Sequence, residues 1–321
     1  VTHLMRLQLQ VGALCVAMLS MAACSAGSTA DANGARIAGR GQSDRHAVYQ
    51  VELERARAER VQRLRAPDGW LSYTGSGRVR AGHYRVGSDP RSDLVLPAGP
   101  GQLGRLTLES DGRAHFDAAA TAPVHLNGQR IDRVRLQPER AGRRGDRLDV
   151  EGRQFYLVQT GSLFGWRFRD PAAPLLTHFA GLEYFPIDPH WRIRARWQAY
   201  PMPRTTTLLT SIGTPLTVQV PGEAVFSRNG QDYRLQPIVS DDGQGLFFLF
   251  VDRTSGKESY GGARYLYTAA PHDGRLVLDF NLAENPPCAL TPHVVCPIAS
   301  PENRLDLAVN AGEKTYRAAE R

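Results

Sequence analysis

The chain has 321 residues, of which 42% are apolar, 22% charged and 8% aromatic. That composition fills a core in about two domains, and it excludes a disordered, collagen-like or disulfide-dense small protein. The net charge is +7, and every basic residue except Lys257 and Lys314 is arginine, interleaved with acids as in Glu52, Glu54, Arg55, Arg57, Glu59 and Arg60. A nucleic-acid binder gathers its charge on one stripe or tail, so no nucleic-acid partner is expected.

The mean hydropathy is −0.35, and only the first two dozen residues are apolar enough to meet a bilayer. Arg6 precedes a short apolar run, Val11 to Leu19, followed by Ser20-Met21-Ala22-Ala23-Cys24. A basic start, an apolar centre too short to span and small residues before a cut site predict an export signal over 1–23. Small residues directly before Cys24 resemble the bacterial lipobox, with Met21 in place of the usual Leu, so Cys24 is expected to carry lipid. Ser25 follows, and the absence of Asp there favours the periplasmic face of the outer membrane over the inner membrane. Residues 24–42 read as a flexible tether.

Ser43 to Ala66 is rich in Glu, Arg and Ala and free of Gly and Pro until Pro67, which predicts a surface helix. Val48, Val51, Val61 and Leu64 are its expected buried stripe. Short alternating runs punctuated by turn residues then predict strands at 83–86, 94–96, 105–108, 114–116, 124–126, 147–150 and 154–159. Asn127-Gly128 predicts a hairpin turn, because both residues tolerate positive φ. Gly99 to Gly104 fits G-x-G-x-x-G literally, but strands and not a helix follow it, so it reads as a loop.

Tyr84-Arg85-Val86-Gly87-Ser88 with Asp93-Leu94-Val95-Leu96, then Leu126-Asn127-Gly128, then Gly145-Asp146-Arg147-Leu148 before Phe155, resemble a forkhead-associated (FHA) domain. The resemblance implies a β-sandwich. Ser88 stands where that family grips phosphate with Arg, and Gly101-Gln102-Leu103-Gly104 replaces its Ser-Arg-x-His segment. Phosphothreonine recognition needs those charge-assisted donors, so the fold is implied and phosphopeptide binding is not.

Ser162 to Arg196 reads as the join between two halves. Across its end, Trp191, Ile193, Ala195 and Trp197 alternate with Arg192, Arg194 and Arg196, a strand with one apolar face and one arginine row. That row is either an anion-binding strip or a solvated face with cross-strand partners. Leu246 to Val251 is apolar on both faces and predicts a central strand. Ala263–Thr268 and Arg275–Asn281 are expected to pair as a hairpin across Pro271 to Gly274, which puts Arg264, Asp279 and Asn281 on one face. Cys288 and Cys296 sit in a Pro-rich loop, and export predicts a disulfide between them.

Phe179-Ala180-Gly181-Leu182-Glu183-Tyr184-Phe185-Pro186 is the first of three longer words. The second runs from Phe250 to Gly261 and on through Arg264-Tyr265-Leu266. The third runs from Leu278-Asp279-Phe280-Asn281 through Asn285-Pro286-Pro287-Cys288, Cys296-Pro297 and Glu302-Asn303-Arg304-Leu305. Together with Asp68-Gly69-Trp70-Leu71 they resemble a bacterial family known only as domain of unknown function 1684. The resemblance implies no activity.

There is no H-E-x-x-H, Walker loop or G-x-S-x-G, and no histidine stands at metal-ligand spacing, so neither a metal nor a cofactor is expected. The fold expected is all-β: an FHA-like sandwich over 67–170, then a second β-barrel-like or curved-sheet module over 171–321, preceded by a helix over 43–66. The function expected is a non-catalytic binding role at the cell envelope. The membrane is reached through the lipid, and the other partner is a small anionic ligand or an envelope protein. The candidate ligand site is Arg264, Asp279, Asn281 and Asn285, with Tyr260 and Glu258 at its rim; Arg would fix an anion and the amides its orientation. The alternative is a hydrolase with Glu258 or Asp279 as base, since neighbouring carboxylates drive each other's pKa apart. Set against both is a turn-closing ion-pair network of Asp252, Arg253, Glu258 and Arg264.

Overall fold

The structure is a computed structural model that describes residues 30–140, 142–240 and 243–318, with side chains from residue 44 onward. The leader, Cys15 and Cys24 lie outside the described residues. The chain divides into two compact units, Val1–Ala47 and Val48–Arg321, and the contacts below are all within the second. No helix among the described residues is long and apolar enough to cross a membrane.

One long helix, Ala30–Arg65 (α1), is present. It starts earlier than expected, with residues 30–42 included in the helix. It stops where Pro67 bars Ala66 from the helical region, and Gly69 N–H then closes a turn onto the Ala66 carbonyl at 2.8 Å. The expected buried stripe holds at Leu64, with Val61 partly buried beside it, but fails in its N-terminal half. Val48 and Val51 are 59% and 64% exposed, whereas Tyr49, Leu53, Arg60 and Leu64 are buried. The helix docks through polar side chains that a purely apolar pattern does not mark.

The sandwich follows. Its strands are Tyr73–Val79 (β1), Gly82–Gly87 (β2), Leu94–Val95 (β3), Gly104–Leu108 (β4), Ala114–Ala118 (β5), His125–Leu126 (β6), Gln129–Arg130 (β7), Arg133–Leu136 (β8), Leu148–Val150 (β9), Arg153–Thr160 (β10) and Leu163–Arg169 (β11). A six-stranded sheet in the order β1-β11-β10-β9-β6-β7 faces a five-stranded sheet in the order β3-β2-β4-β5-β8. Phe116, Phe155, Leu157, Trp166 and Phe168 fill the space between them. Asn127 and Gly128 turn β6 into β7 at φ 52° and 79°, the mirror-image turn a two-residue hairpin requires. β11 lies inside the stretch expected to be a join; it pairs with β1 and β10 along its whole length.

The second module comprises Arg192–Leu209 (β12), Pro215–Arg228 (β13), Gln231–Leu235 (β14), Ile238–Val239 (β15), Gly245–Phe250 (β16), Arg264–Ala269 (β17) and Arg275–Asp279 (β18). They form a curled sheet, β14-β13-β12-β18, and a second sheet, β15-β16-β17. The register between β12 and β13 slips between Ala199 and Arg204, and a bulge of that kind bends and further twists a strand. Trp191, Ala195, Phe248, Phe250, Leu266 and Phe280 pack in one core. Phe250 and Phe280 meet edge to face with centroids 5.3 Å apart, the geometry the ring quadrupole favours. The β12 alternation is as expected: Trp191 and Ala195 face the core, and Arg192, Arg194 and Arg196 are exposed.

The expected hairpin between β17 and β18 does not form. β17 pairs with β16, and β18 pairs with β12 from Arg192↔Asp279 to Arg196↔Arg275. The other edge of β17 is met instead by Glu284, bridged to Tyr265. The C-terminal segment closes the module with backbone bonds from Leu305 N–H to Val251 O, Glu313 N–H to Ala283 O and Thr315 N–H to Glu258 O. Gly312 is required there. Its φ is +80°, and a Cβ would stand 2.5 Å from the Ala283 carbonyl oxygen.

Candidate functional site

Of the six residues expected to bind a ligand, Arg264 is fully buried. Its guanidinium pairs with Asp252 and donates to the carbonyls of Val309 and Ala311. Asp252 also accepts from Thr254 N–H at 2.7 Å and Val309 N–H at 3.3 Å. This pair ties β17 to the turn after β16 and to the C-terminal segment. It is the core of the expected ion-pair network, but the other two members lie elsewhere. Arg253 pairs with Asp306 at 2.6 Å, and Glu258 lines a separate surface depression with Lys314 and Arg228.

Asp279, Asn281 and Asn285 face α1. Tyr49 donates its hydroxyl to both Asp279 oxygens at 2.8 and 2.9 Å. The Asn281 amide donates to the Tyr49 oxygen at 3.0 Å and to Asp188 O at 2.9 Å. Burial first, then the Asp279 carboxylate, pushes the Tyr49 phenol well above its ordinary value. About three turns further on, Arg60 lies 3.1 Å from Glu313 and 3.2 Å from Glu284, and donates to Asn285 O at 2.9 Å. Asn285 donates its amide to Lys314 O at 2.7 Å, and its backbone N–H goes to Glu313 at 2.7 Å. These polar groups are largely occupied in holding α1 and the C-terminal segment together.

Tyr260 stands apart from them. It lines a cavity of about 600 Å³ between the outer face of β1, β10 and β11 and the loop Cys288–Val295. The wall is apolar at Val158, Leu163, Phe164, Ile212 and Val294, and cationic at Arg78 and Arg167. Ser76 Oγ and His293 Nδ1 are 3.0 Å apart across it. Arg167 donates to the neighbouring Trp166 carbonyl at 3.1 Å, and no carboxylate among the described residues lies within 4.0 Å of its guanidinium. Burial lowers the Arg167 pKa. Burial first, then the Arg167 charge, also lowers that of His293. The cavity therefore concentrates positive potential behind apolar walls, an arrangement that attracts an anion. No acid is among its lining residues, so the Ser76–His293 pair lacks the carboxylate that would orient a histidine base.

One further feature of the same sheet points the same way. Arg169 shares the outer face of β11 with Arg167; it donates to Tyr73 at 2.6 Å, and its Nε is buried with no partner among the described residues. At the far end of the sandwich, by contrast, the cations are spent. Arg85 pairs with Asp93 and Arg91 with Asp89, and those hydrogen bonds hold both carboxyls down to about 2. Ser88, at the position where an FHA domain grips phosphate, donates to Gly99 O at 2.7 Å.

Cys288 and Cys296 are both free thiols, so the expected disulfide is not formed in this structure. The Cys296 sulfur instead accepts from Cys288 N–H at 3.2 Å. Among the described residues no cluster of His, Cys, Asp and Glu could hold a metal ion.

Sequence reasoning missed Arg167, Ser76 and His293. The alternation of Trp166 and Phe168 with Arg167 and Arg169 was a readable strand signal. The meeting of Ser76 with His293, 217 positions apart, left no trace in either local sequence.

Residues 177–314 match the model of the family described as "Protein of unknown function (DUF1684)". No curated protein matches the chain. Among solved structures, the chain is similar to an uncharacterized protein of Haloarcula marismortui determined by solution NMR. The identity is 32%, over 43% of this chain and 77% of that one, with a TM-score of 0.36. The segment 177–314, which carries β12 to β18, belongs to the DUF1684 family of proteins of unknown function.

Proposed function

We propose that the protein is an exported, lipid-anchored binding module whose ligand is a small anion with an apolar body. The ligand is held in the cavity between the sandwich and the Cys288–Val295 loop. The observation that carries this reading is Arg167, a partly buried cation with no carboxylate partner among the described residues, at the wall of an apolar cavity of about 600 Å³. A buried charge is costly unless it is paired, and a carboxylate or phosphate monoester would pair it in the bidentate geometry that arginine favours. Tyr260 and Ser76 supply hydroxyls for orientation, and Phe164 and Val294 supply the apolar walls. The anchor rests on Ala22-Ala23-Cys24 in the sequence.

The test is titration calorimetry of the purified chain with benzoate and phenyl phosphate, using benzamide as the neutral counterpart. The anions should bind and benzamide should not, and Arg167→Gln should weaken anion binding at least about tenfold, which is about 1.4 kcal/mol, without lowering the melting temperature. Equal binding of benzamide, or unchanged affinity in Arg167→Gln, would remove the anion site. For the anchor, Cys24→Ala should shift the protein from the membrane fraction to the soluble one.

A further inference from the structure

Cys288 and Cys296 are separated in sequence by a Pro-rich loop, yet the Cys288 N–H donates to the Cys296 sulfur at 3.2 Å. The loop is clamped. Ser211 N–H donates to Cys296 O at 2.7 Å, Ile298 N–H to Leu209 O at 2.9 Å and Thr291 N–H to Pro287 O at 3.1 Å. The two sulfurs therefore stay neighbours without a covalent bond between them.

Their surroundings differ. Cys288 is half-buried and opens onto the cavity, where Tyr260 donates its hydroxyl to the Cys288 sulfur at 3.8 Å. Cys296 is 3% exposed and packs with Leu208, Leu249 and Tyr265. We propose that Cys288 and Cys296 are a redox-active pair that exchanges with organic disulfides entering the cavity, with Cys288 as the attacking thiol and Cys296 as the resolving one. The Tyr260 hydroxyl donates toward the Cys288 sulfur, and the Cys288 N–H donates to that of Cys296. Interaction with the Cys296 thiol first, and the Tyr260 hydroxyl after it, draws the Cys288 pKa down to about 7, while interaction with Cys288 and burial drive that of Cys296 up. Tyr260, desolvated and facing that sulfur, is pushed up to about 12 and remains a donor.

The chemistry balances without a cofactor. The Cys288 thiolate attacks one sulfur of a disulfide R–S–S–R; the S–S bond breaks, and RS⁻ leaves and takes a proton. Cys296 then loses its proton to water or to departing thiolate, and its sulfur attacks Cys288 in the mixed disulfide. The second RS⁻ departs and is protonated in turn. The pair is oxidised by two electrons to a disulfide, and R–S–S–R is reduced to two thiols. This pathway uses neither Arg167 nor an anion, so it stands or falls separately from the binding reading.

The test uses the full chain carrying Cys15→Ser and Cys24→Ala, so that Cys288 and Cys296 are its only thiols, with oxidised glutathione as the probe and intact mass as the readout. This parent should lose two hydrogens without retaining an adduct. Cys296→Ser should accumulate one glutathione on Cys288, and Cys288→Ser should react at least about tenfold more slowly. In the parent, the pH profile of iodoacetamide modification should have its midpoint at Cys288 near 7, and Tyr260→Phe should move that midpoint upward. Equal adduct formation on either cysteine, a Cys288 midpoint near the roughly 8.5 of a free thiol, or a disulfide that resists dithiothreitol until the protein unfolds would each overturn the proposal. The iodoacetamide arm requires no cysteine substitution in the pair, so a misfolded variant cannot obscure the answer.

Discussion

Tyr49 on α1 and Asp279 at the end of β18, 230 positions apart, are joined through both carboxylate oxygens at 2.8 and 2.9 Å. A second polar link, Arg60 with Glu313 and Glu284, repeats the device three turns along the helix. Leu53 and Leu64 supply apolar contact on the same stripe. The helix is thus held by satisfied buried polar groups as much as by apolar burial, and such groups specify one docking position because any shift orphans them.

Tyr49→Phe keeps the ring and removes the hydroxyl. Asp279 and Asn281 then lose a buried partner, so stability should fall by about 1–3 kcal/mol. Urea unfolding followed by circular dichroism measures this directly. A change near zero would mean that water replaces the phenol at no cost.

Arg264→Ala strands Asp252, whose side chain is fully buried, and orphans the carbonyls of Val309 and Ala311. Breaking a buried pair from one side costs about 3–5 kcal/mol. The double variant Arg264→Met with Asp252→Leu should recover only part of that loss, because Thr254 N–H and Val309 N–H also depend on Asp252. Comparing denaturation midpoints of the three chains tests the claim, and full recovery by the double variant would contradict it.

Glu284 titrates above its ordinary 4.5, because burial outweighs the opposing charges of Arg60 and Arg63. A carboxyl whose pKa rises on folding favours the folded state when protonated. Its contribution is complete below about 4.5 and is lost as pH rises through the folded value. The melting temperature of the native chain minus that of Glu284→Gln should therefore fall as pH is raised from acid towards neutrality. A difference that stays level with pH, or one that grows, would show that Arg60 and not burial dominates at this position.

The strand pattern was legible wherever one sheet face meets the core and the other meets water. Trp191 to Trp197 shows this, as do the seven runs placed in the sandwich. Leu163 to Arg169 carries the same alternation but went unread, because Gly161 and the apolar pair Leu163-Phe164 blur its start. The β17–β18 hairpin failed for a different reason. Proximity in sequence favours pairing, but β18 has a better edge at β12, and Glu284 takes the free edge of β17.

From the order of its residues alone, this protein's all-β build, its leading helix, its hairpin at Asn127-Gly128 and the apolar centre of β16 could be derived, since periodicity and turn chemistry are local. Which charges are spent and which remain available was decided only in three dimensions. Arg264 and Arg167 are both arginines on β-strands flanked by apolar neighbours. One is matched by Asp252 in the core and the other faces a cavity without an acid. Desolvation and pairing depend on what distant segments bring within a few ångströms, and no local pattern encodes that distance.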